Sequence, residues 1–325
     1  MKKKVSVVVP CYNSENTLEK CIDALKKQNY SGDFEILMVD DGSKDSTSEI
    51  IKKNKEIKYI FQKNSGPAKA RNNGWKHANG DIVVFTDSDC VPEKDWLKEI
   101  IKPFDINDKI GAVGGAYNKT INSNSLLANL IGEEIKFRYL NFGKYTDAHG
   151  SYSLAVKKEV LKKINGFNEF YPVATAEDWD LCYKIQSAGY KIYFNKNAKV
   201  GHHHPSNLKK YLKTQFRHGF YRMKLYKDNP KRVSGDKYSG NAKYIVVFSG
   251  FIVGFLVLSI FSKSFVFPFL ISVLALIILN SRLFFYLKKR KRFVFAIKDF
   301  LLQLIRGFAW LFGLIKGLFH FLNEK

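Results

Sequence analysis

The amino-acid sequence predicts an α/β domain with a mainly parallel sheet, followed by a transmembrane helical hairpin and one further membrane-associated helix. Three observations lead to this prediction. The first 105 residues alternate between strand-like and helix-like patterns. Two long runs without a charged residue follow residue 243. The last segment, residues 293–322, is largely apolar but carries a regular stripe of polar and glycine residues.

Four runs near the N-terminus have the composition of strands. Val5–Val9 and Ile82–Thr86 are almost wholly apolar, as expected for strands that are buried on both faces, and Phe34–Val39 is a further strand-like run that contains Glu35. Ile57–Gln62 is the remaining strand-like run. Because helical patterns separate these runs, the sequence predicts a parallel sheet with helices on both faces.

The helical patterns between these strands carry recognisable start signals. Apolar residues between Leu18 and Leu25 share one helix face. Ser46 and Glu49 have the spacing of a capping box, which predicts a short helix after them. Pro67 suits the first turn of a third helix, because proline has no N–H that this position would need.

Polar residues follow three of the predicted strands, and the helix after Pro67 adds Lys69 and Arg71. The carboxyl ends of parallel strands meet at one edge of a sheet, where ligands bind. Cations in the first turns of a helix favour an anion, although a solvated basic helix face explains Lys69 equally well. No GxGxxG follows the first strand, so a dinucleotide fingerprint is absent. The strand-end residues are Pro10, Tyr12, Asn13, Asp40, Asp41, Asp87, Ser88 and Asp89.

Carboxylates next to cations suggest a divalent metal ion shared by the protein and a phosphate. Asp87 and Asp89 supply hard oxygen ligands, which suit Mg²⁺ or Mn²⁺. An isolated pair of this spacing after a strand is more often an Asx-type turn. The metal interpretation therefore depends on the residues that surround the pair.

The charge of the chain is concentrated near its apolar runs. The formal net charge is +23, and residues 205–243 hold eleven Lys or Arg against two Asp. Tyr244–Phe261 and Phe265–Asn280 each approach the ~20 apolar residues of a bilayer span, and their short link predicts a hairpin. Residues 287–292 are also basic, so both flanks are expected on the cytoplasmic side. We therefore expect a multi-pass cell-membrane protein with a cytoplasmic N-terminal domain and membrane lipids as partners.

The expected organisation is a domain over residues 1–225, a basic linker over 226–243 and a membrane region over 244–325. The predicted spans are 244–261 and 265–282. The third segment, 293–322, suits either an interfacial amphipathic helix, which we favour, or a third span. Its stripe consists of Asp299, Gln303, Arg306, Trp310, Gly313 and Gly317.

The four cysteines lie at positions 11, 21, 90 and 182. They form neither a CxxC motif nor a cluster with metal-ligand spacing. We therefore expect reduced thiols rather than disulfides or a thiolate metal site.

Five motifs, in order, resemble the family 2 glycosyltransferases over roughly Val5 to Arg222. They are VSVVVPCYN, ILMVDDGSKDST, GPAKARNNG, DIVVFTDSDC and AEDWDLCYKIQSAGYKI. The resemblance implies a GT-A fold with a Rossmann-like, mainly parallel sheet. It also implies a nucleotide-sugar donor and a transfer that inverts the sugar.

The resemblance further implies roles for individual residues. Asp40 would contact the nucleotide base or ribose, and Asp41 would support the same loop. Asp87 would lie along the ribose and diphosphate, and Asp89 would bind the metal. Arg71 would lie near the uracil or guanine end of the donor.

Glu177 and Asp178 open a predicted helix. Thr175 and Asp178 have the spacing of a variant capping box, and acidic residues favour the first turn of a helix, so structure alone could explain both carboxylates. The resemblance instead gives Asp178 the role of catalytic base, which takes the acceptor proton as the oxygen attacks C1. It places Glu177 and Trp179 on the acceptor or diphosphate side. We therefore predict that Asp178 is catalytic, a role that is compatible with capping.

His202 and His204 alternate in an extended run, so their side chains face the same side. In the family, a histidine at the first position approaches the metal or diphosphate. His202 is therefore a predicted metal ligand together with Asp89, and Asp87 and His204 are further candidates. A polar loop that contains three adjacent histidines is the alternative.

Gln215, Arg217 and Arg222 lie on a predicted basic, aromatic helix and are candidates for acceptor or diphosphate contacts. The family's synthase branch has QxxRW nearby, and Gln215 to Gly219 depart from it. A processive polysaccharide synthase is therefore a less suitable interpretation. Gly150-Ser151-Tyr152 departs from the family's usual GxN, so the resemblance assigns no acceptor contact there.

The sequence thus predicts a membrane-anchored, inverting glycosyltransferase (a hexosyltransferase type) with Mg²⁺ or Mn²⁺ as cofactor. Its expected donor is a UDP- or GDP-sugar, and its expected acceptor is a polyprenyl-linked glycan, a polyprenyl phosphate or a glycolipid. Transfer to a cell-surface polysaccharide is one alternative. A basic protein that binds membranes or nucleic acid without catalysis is another. That alternative explains the net charge but not the acidic strand ends, so we expect no nucleic-acid partner.

Overall fold

The computed structural model describes residues 3–233 and 241–322, except for the side chain of Ala242. The described chain divides into two compact units. The first contains the residues up to Ser123 together with Asn141–His204, and the second contains Asn124–Leu140 and the residues from Pro205 onward. The predicted linker, 226–243, falls in part on residues 234–240, which lie outside the described residues.

The secondary structure of the described residues comprises nine strands and eleven α-helices. The strands are β1 (Val5–Cys11), β2 (Phe34–Asp40), β3 (Ile57–Phe61), β4 (Ile82–Thr86), β5 (Cys90–Pro92), β6 (Ile110–Thr120), β7 (Tyr145–Thr146), β8 (Ser153–Lys157) and β9 (Lys191–His202). The helices are α1 (Leu18–Lys26), α2 (Thr47–Lys52), α3 (Pro67–Lys76), α4 (Trp96–Ile101), α5 (Leu126–Tyr139), α6 (Lys158–Ile164), α7 (Glu177–Ser187), α8 (Leu208–Asp228), α9 (Ala242–Phe261), α10 (Val266–Arg290) and α11 (Phe293–Leu322).

The strands of the first unit form one mixed sheet. Their order is β3-β2-β1-β4-β8-β6-β9-β5, and β7 pairs with β9. The strands β3, β2, β1 and β4 are parallel, as the sequence predicts. Beyond β4 the sheet becomes mixed, because β8 runs antiparallel to both β4 and β6. The fold is therefore a mixed-sheet α/β fold, with a parallel half that carries the predicted strand ends.

The parallel half is buried as its apolar composition requires. Residues of β4 are at most 2% exposed, and the central residues of β1 are fully buried. All four cysteines are free and buried, in agreement with the expectation of reduced thiols. The apolar runs therefore fix the strands rigidly beneath the polar residues that follow them.

One predicted cap forms differently. Ser46 is the N-cap residue of α2, but its side chain makes no capping hydrogen bond. The carboxylate of Asp45 instead accepts hydrogen bonds from the Thr47 N–H at 3.1 Å and from its hydroxyl at 2.6 Å. The predicted capping box with Glu49 is wrong, because the Ser46 N–H, which Glu49 would accept, donates instead to Glu15 Oε2 at 3.1 Å.

The second unit is helical. Its helices α9, α10 and α11 are each long and apolar enough to cross a membrane, by length and composition. Both predicted spans fall within the first two. The predicted stripe of α11 is its packing face, since Asp299, Gln303, Gly313 and Gly317 are all buried.

Candidate active site

The ends of three parallel strands meet at one edge of the sheet, as predicted. Cys11 at the end of β1 is level with Asp40 at the end of β2. The loops after these strands are bonded to each other, because the Asn13 side-chain oxygen accepts the Lys44 N–H at 2.9 Å. The hydroxyls of Ser14 and Ser88 lie 2.7 Å apart and connect the β1 and β4 ends.

Residues predicted to bind the donor differ in exposure along this edge. Pro10 is half-buried within β1, whereas Tyr12 and Asn13 are exposed beyond its end. Asn13 has a φ of 48°, a conformation that asparagine tolerates better than most residues. Lys69 is exposed on α3, and the structure describes no hydrogen bond or ion pair for it within residues 3–233 and 241–322. The edge therefore offers side chains to a ligand at Tyr12 and Asn13.

Asp40 is buried and organises the end of β2. Its Oδ1 accepts the Ser43 N–H at 2.9 Å, and its Oδ2 accepts the Tyr59 hydroxyl at 3.0 Å. Burial raises the pKa of Tyr59 to about 12, and the bond to Asp40 adds to this rise, so Tyr59 stays a hydrogen-bond donor at neutral pH. The Asp40 carboxylate is therefore held in one orientation at the edge.

Asp41 shapes the loop that leads into α3. Its two carboxylate oxygens accept the N–H groups of Ser65 and Gly66, each at 2.8 Å, and Gln62 donates a third bond at 2.7 Å. Gly66 has a φ of 92°, which requires glycine here. Asp41 thus fixes the start of the helix that carries Arg71.

A group of possible metal ligands lies directly after β4. One ligand atom from each of Asp87, Asp89, Cys90 and His202 lies within 4.8 Å of the others. The two carboxylates fit the oxygen preference of Mg²⁺ or Mn²⁺, and an imidazole adds a nitrogen ligand. Among these residues, Asp87, Asp89 and His202 therefore form the set that fits the predicted metal ion.

His202 reaches this group from the far side of the sheet. Its strand, β9, pairs with β5, which places His202 next to Cys90 and brings its Nε2 to 3.2 Å from Asp89 Oδ1. Burial alone would lower the pKa of His202, but the charge of Asp89 outweighs it and raises that pKa well above its usual range. Burial alone would raise the pKa of Asp89, but His202 outweighs it and lowers that pKa. A metal ion bound here would replace the proton on His202.

Two residues here are placed differently from the prediction. His204 is not in the group of ligand atoms described above, since its Nδ1 lies 3.0 Å from Nδ1 of His202 and orients that ring instead. Cys90 lies in the group although the sequence predicted no metal site for it. Burial raises the pKa of the Cys90 thiol to about 12, so it stays protonated and is a poor partner for a hard cation.

Arg71 connects the two acidic motifs. Its guanidinium donates to Asp87 Oδ1 at 2.9 Å and to Glu177 Oε1 at 3.1 Å. Arg71 is 3% exposed, and Glu177 is 1% exposed. Burial would lower the pKa of Arg71, but Asp87, Asp178 and Glu177 raise it, so the cation persists. Its Nε has no hydrogen-bond partner within the described ranges, which leaves one donor for a ligand oxygen.

The helix α7 presents Glu177 and Asp178 from its first turn. The predicted N-cap, Thr175, is wrong, because the N-cap is Ala176. Thr175 instead donates its backbone N–H to Glu177 Oε2 at 2.7 Å. Asp178 is therefore free of the predicted capping role, and its Oδ2 accepts the backbone N–H of Ser151 at 3.0 Å. Trp179, the next residue, is half-buried.

Both carboxyl groups of this pair bind protons more readily than usual. Burial and the neighbouring Asp178 raise the pKa of Glu177 to about 7, although Arg71 opposes the rise. Burial likewise raises the pKa of Asp178 above its ordinary value, against the opposing effects of Arg71 and Ser151. A carboxylate with a raised pKa is a better proton acceptor near neutral pH.

Sequence reasoning missed Ser151 because its contribution is a backbone N–H, which leaves no side-chain signal. The predicted acceptor-side residues Gln215, Arg217 and Arg222 belong to the second unit. Gln215 accepts the Trp310 indole N–H at 2.9 Å, and the Arg222 guanidinium lies 5.5 Å from the Trp310 ring centre. Packing within the second unit therefore accounts for two of them, whereas Arg217 is exposed.

Residues 6–164, just under half of the chain, match the model of a family described as Glycosyl transferase family 2. These residues belong to glycosyl transferase family 2. The family 2 match includes Asp40, Arg71, Asp87 and Asp89, whereas Glu177, Asp178 and His202 lie beyond it.

Two relatives of similar coverage come from archaea. Glycosyltransferase AglE of Haloferax volcanii is 29% identical over 240 residues, which are 66% of this chain and 71% of AglE. A protein of Methanococcus voltae is 27% identical over 234 residues, with the same coverage of 66% and 71%. It is named dolichyl N-acetyl-alpha-D-glucosaminyl phosphate 3-beta-D-2,3-diacetamido-2,3-dideoxy-beta-D-glucuronosyltransferase. The chain spans only about half of two other relatives, at 52% and 53% of their length.

Among solved structures, the chain is similar to the mannosyltransferase PcManGT from Pyrobaculum calidifontis, in complex with GDP-Man and Mn²⁺. The TM-score is 0.64 at 18% sequence identity, over 98% of this chain and 88% of that one. At this identity the likeness shows the fold alone. The likeness supports a GT-A-like fold that is followed by helices at the C-terminus.

Proposed function

We propose that the chain is a membrane-anchored, inverting glycosyltransferase that moves a hexose-type sugar from a nucleotide-diphosphate sugar to a membrane-associated acceptor. One observation carries the proposal. Arg71 joins two parts of the site. One is the metal-type group of Asp87, Asp89 and His202, and the other is the carboxylate pair of Glu177 and Asp178. A site of this kind offers a place for a diphosphate and a proton acceptor next to it.

The donor would lie along the edge formed by the strand ends. Tyr12, Asn13 and Asp40 border the place proposed for the base and ribose, and Asp87 and Ser88 border the diphosphate. The free Nε donor of Arg71 suits a donor oxygen, which is a different role from the contact with the base that the resemblance implies. Lys69 can contribute from the exposed face of α3, where it adds positive charge.

A divalent ion held by Asp89, Asp87 and His202 would supply positive charge to the leaving diphosphate. Asp89 would bind it most directly, because its carboxylate already faces His202 at 3.2 Å. Mg²⁺ and Mn²⁺ both fit the two carboxylates, and the imidazole favours Mn²⁺ of the two.

Asp178 would act as the base. Its carboxylate takes the proton of the acceptor hydroxyl while the oxygen forms a bond to C1 and the bond between C1 and the diphosphate oxygen breaks. The backbone N–H of Ser151 holds one carboxylate oxygen, and burial raises the pKa, so the group is both oriented and basic. An acceptor phosphate is already ionised, so transfer to it would depend less on Asp178 as a base.

A membrane location favours a lipid-linked acceptor. The hairpin α9–α10 would anchor the chain, and the basic residues that flank it in sequence would keep the catalytic domain in the cytoplasm. The Methanococcus voltae relative carries a dolichyl phosphate-linked substrate in its name, which supports an acceptor of the same chemical class here. Arg217 is exposed and offers a cation for such a phosphate.

The proposal is tested by a donor screen on the full chain in detergent. Thermal stabilisation and donor hydrolysis are measured with UDP-, GDP- and dTDP-sugars, each with Mn²⁺, Mg²⁺ or EDTA. We expect one nucleotide to stabilise the protein only with metal. Asp89→Ala should abolish the metal dependence, whereas Asp178→Asn should keep donor binding and lose about 10²–10⁴-fold in hydrolysis rate.

Asp33→Asn is the matched control, because Asp33 is an exposed carboxylate away from the strand ends. It should behave as the wild type in every assay. Full hydrolysis by Asp178→Asn would show that the assigned base is wrong. A chain that no nucleotide sugar stabilises, but that binds nucleic acid with a steep salt dependence, would favour a binding protein instead.

A further inference from the structure

We propose that α11 lies along the membrane surface beside α8 and does not cross the bilayer, and that the exposed cations of α8 bind anionic lipid headgroups. The inference rests on the proposal that the α9–α10 hairpin is the membrane anchor. The length and composition of α11 allow a third span, so they do not decide the matter. Contacts within the second unit carry the inference.

The helix α8 runs beside α11 in the same direction and along most of its length. The Trp310 indole donates to Gln215, and the Lys227 ammonium donates to the backbone oxygen of Phe321 at 2.8 Å. The two backbones approach closely at Gly313, where an added Cβ would overlap the backbone oxygen of Phe216. The two helices therefore occupy the same environment.

The charges of α8 favour an aqueous environment. Its exposed cations fall on one helix face, with Lys213 and Arg217 near the middle of the helix. If α11 crossed the bilayer, these two cations would lie beside its central turns, at the depth of the hydrocarbon. Charged side chains at that depth are costly and occur mainly where they face a protein interior or water. The exposed cations of α8 are Lys209, Lys210, Lys213, Arg217 and Lys227.

The helix α5 brings further charges to α11. Glu134 of α5 accepts hydrogen bonds from Arg306 of α11 and, at 2.7 Å, from Arg138 of its own helix. Gln303 of α11 also donates to Glu134, at 3.3 Å. A charged group thus covers α11 before its midpoint, which again suits a surface location.

The contacts that Gly307 and Leu311 of α11 make with α9 lie in the first half of α9. Gly307 packs against Ile245 in the first turn of α9, and Leu311 lies against Gly250. One turn further, a Cβ added at Gly254 would meet no atom within 4 Å among the described residues outside its own stretch of helix. The eleven residues of α11 after Leu311 include Gly313, Gly317 and Phe321, which contact α8.

The face of α11 opposite its packing stripe is apolar and exposed. This face can enter the acyl layer just below the headgroups, as interfacial amphipathic helices do. The basic stripe of α8 complements a negative leaflet, whereas an acidic protein partner would leave the apolar face of α11 in water. The residues of this face are Val294, Ile297, Leu301, Ile305, Phe312, Ile315, Phe319 and Leu322.

A depth profile of spin labels tests the orientation of α11. Single cysteines replace Ile297, Ile305, Phe312 and Phe319 in the full chain in phospholipid vesicles, and nitroxide depth is read from oxygen and nickel accessibility. These positions extend over about 33 Å of helix. We expect depths within about 5 Å of each other, roughly one helical turn. The four native cysteines are buried and do not compete for the label.

Labels at Val247, Phe251 and Leu258 of α9 provide the internal comparison, because these residues are exposed on a proposed span. They should pass through a depth maximum. If α11 shows the same passage from surface to centre to surface, the inference is wrong while the anchor stands. If α9 shows no maximum, the anchor itself is wrong and the inference falls with it.

A label at Lys210 tests the lipid contact of α8 separately. Its accessibility to the aqueous nickel reagent should fall when phosphatidylglycerol is added to phosphatidylcholine vesicles. The variant Lys209→Glu/Lys213→Glu should remove this dependence, and Lys209→Arg/Lys213→Arg should retain it. Equal accessibility in neutral and anionic vesicles would exclude a headgroup contact.

Discussion

Replacing Arg71 with methionine removes the cation that lies between the carboxylates of Asp87 and Glu177. At pH 6 the stability that is lost comes mainly from the ion pair of Arg71 with Asp87, because a pKa of about 7 keeps Glu177 largely protonated at this pH. The Asp87 side chain is 28% exposed, so solvent compensates part of its lost partner. We expect the free energy of unfolding of the first unit to fall by about 1–2 kcal/mol at pH 6.

The loss should grow at higher pH, for a reason that lies in Glu177. Its folded pKa exceeds its ordinary value of 4.5, so its stabilising proton is fully bound below about pH 4.5 and is lost as pH rises through about 7. Arg71 lowers this folded pKa, and its removal raises the pKa further. The variant therefore keeps losing stability above pH 7, at about 1.4 kcal/mol per pH unit, which brings the difference to about 3 kcal/mol at pH 8.

Thermal unfolding of the full chain in detergent with EDTA measures this effect. At about 2–4 °C per kcal/mol, the expected fall in Tm is about 2–8 °C at pH 6 and about 6–12 °C at pH 8. Lys26→Met is the control, because it removes an exposed ion pair with Glu56 and should change Tm by less than about 2 °C at both pH values.

The double variant Arg71→Met/Glu177→Gln separates the two carboxylates. Glutamine does not titrate, so the Tm deficit of the double variant relative to the wild type should not widen between pH 6 and pH 8. A loss in Arg71→Met that does not widen between these pH values would refute the assignment of Glu177 as the titrating partner. An unchanged Tm at both would refute the buried bridge itself.

Two further predictions concern positions where the backbone decides the outcome. Gly313→Leu should lower the Tm of the second unit, because the leucine side chain would overlap the backbone of Phe216. Gly254→Ala should leave the Tm unchanged. Equal Tm values for the two variants would exclude close packing of α8 on α11. Asp41→Asn should cost about 1–3 kcal/mol, since the amide cannot accept both the Ser65 and Gly66 N–H groups. Its donor affinity should fall while the hydrolysis rate at saturating donor stays near that of the wild type, and a lost rate with normal affinity would contradict a role in shaping the loop.

The parallel half of the sheet could be predicted from local sequence. Buried parallel strands need continuous apolar runs, and β4 begins and ends where its run does, at Ile82 and Thr86. The meeting of Asp40 and Asp87 at one edge follows from the same rule, because parallel strands end on the same side. The antiparallel strand β8 could not be assigned in this way, because it pairs with β4 although the two strands are far apart in the sequence.

Helix caps were harder to predict, because nearby acceptors compete for the same donors. The spacing of Ser46 and Glu49 is correct for a capping box, yet Glu15 accepts the N–H of Ser46. Thr175 likewise precedes its helix by one residue more than predicted. In both cases a neighbouring carboxylate is the stronger acceptor, which a spacing rule does not weigh.

The assignment of α11 shows what amino-acid composition can and cannot predict. Its polar and glycine stripe was visible in the sequence and proved to be the packing face. The sequence did not show which helix packs against that face. The partner is largely α8, a helix with several exposed cations, and this identity is what favours a surface location over a third span.

The sequence by itself determined the strand ends, the acidic motifs and the apolar helices, because each depends on residues that are close along the chain. Only the tertiary structure decided that Arg71 bonds both Asp87 and Glu177, and that His202 faces Asp89. These contacts join segments far apart in sequence, and burial there sets the charge of each group. Local patterns carry no information about such distances, so the electrostatics of the site become visible only once the sheet has brought β4, β9 and α7 together.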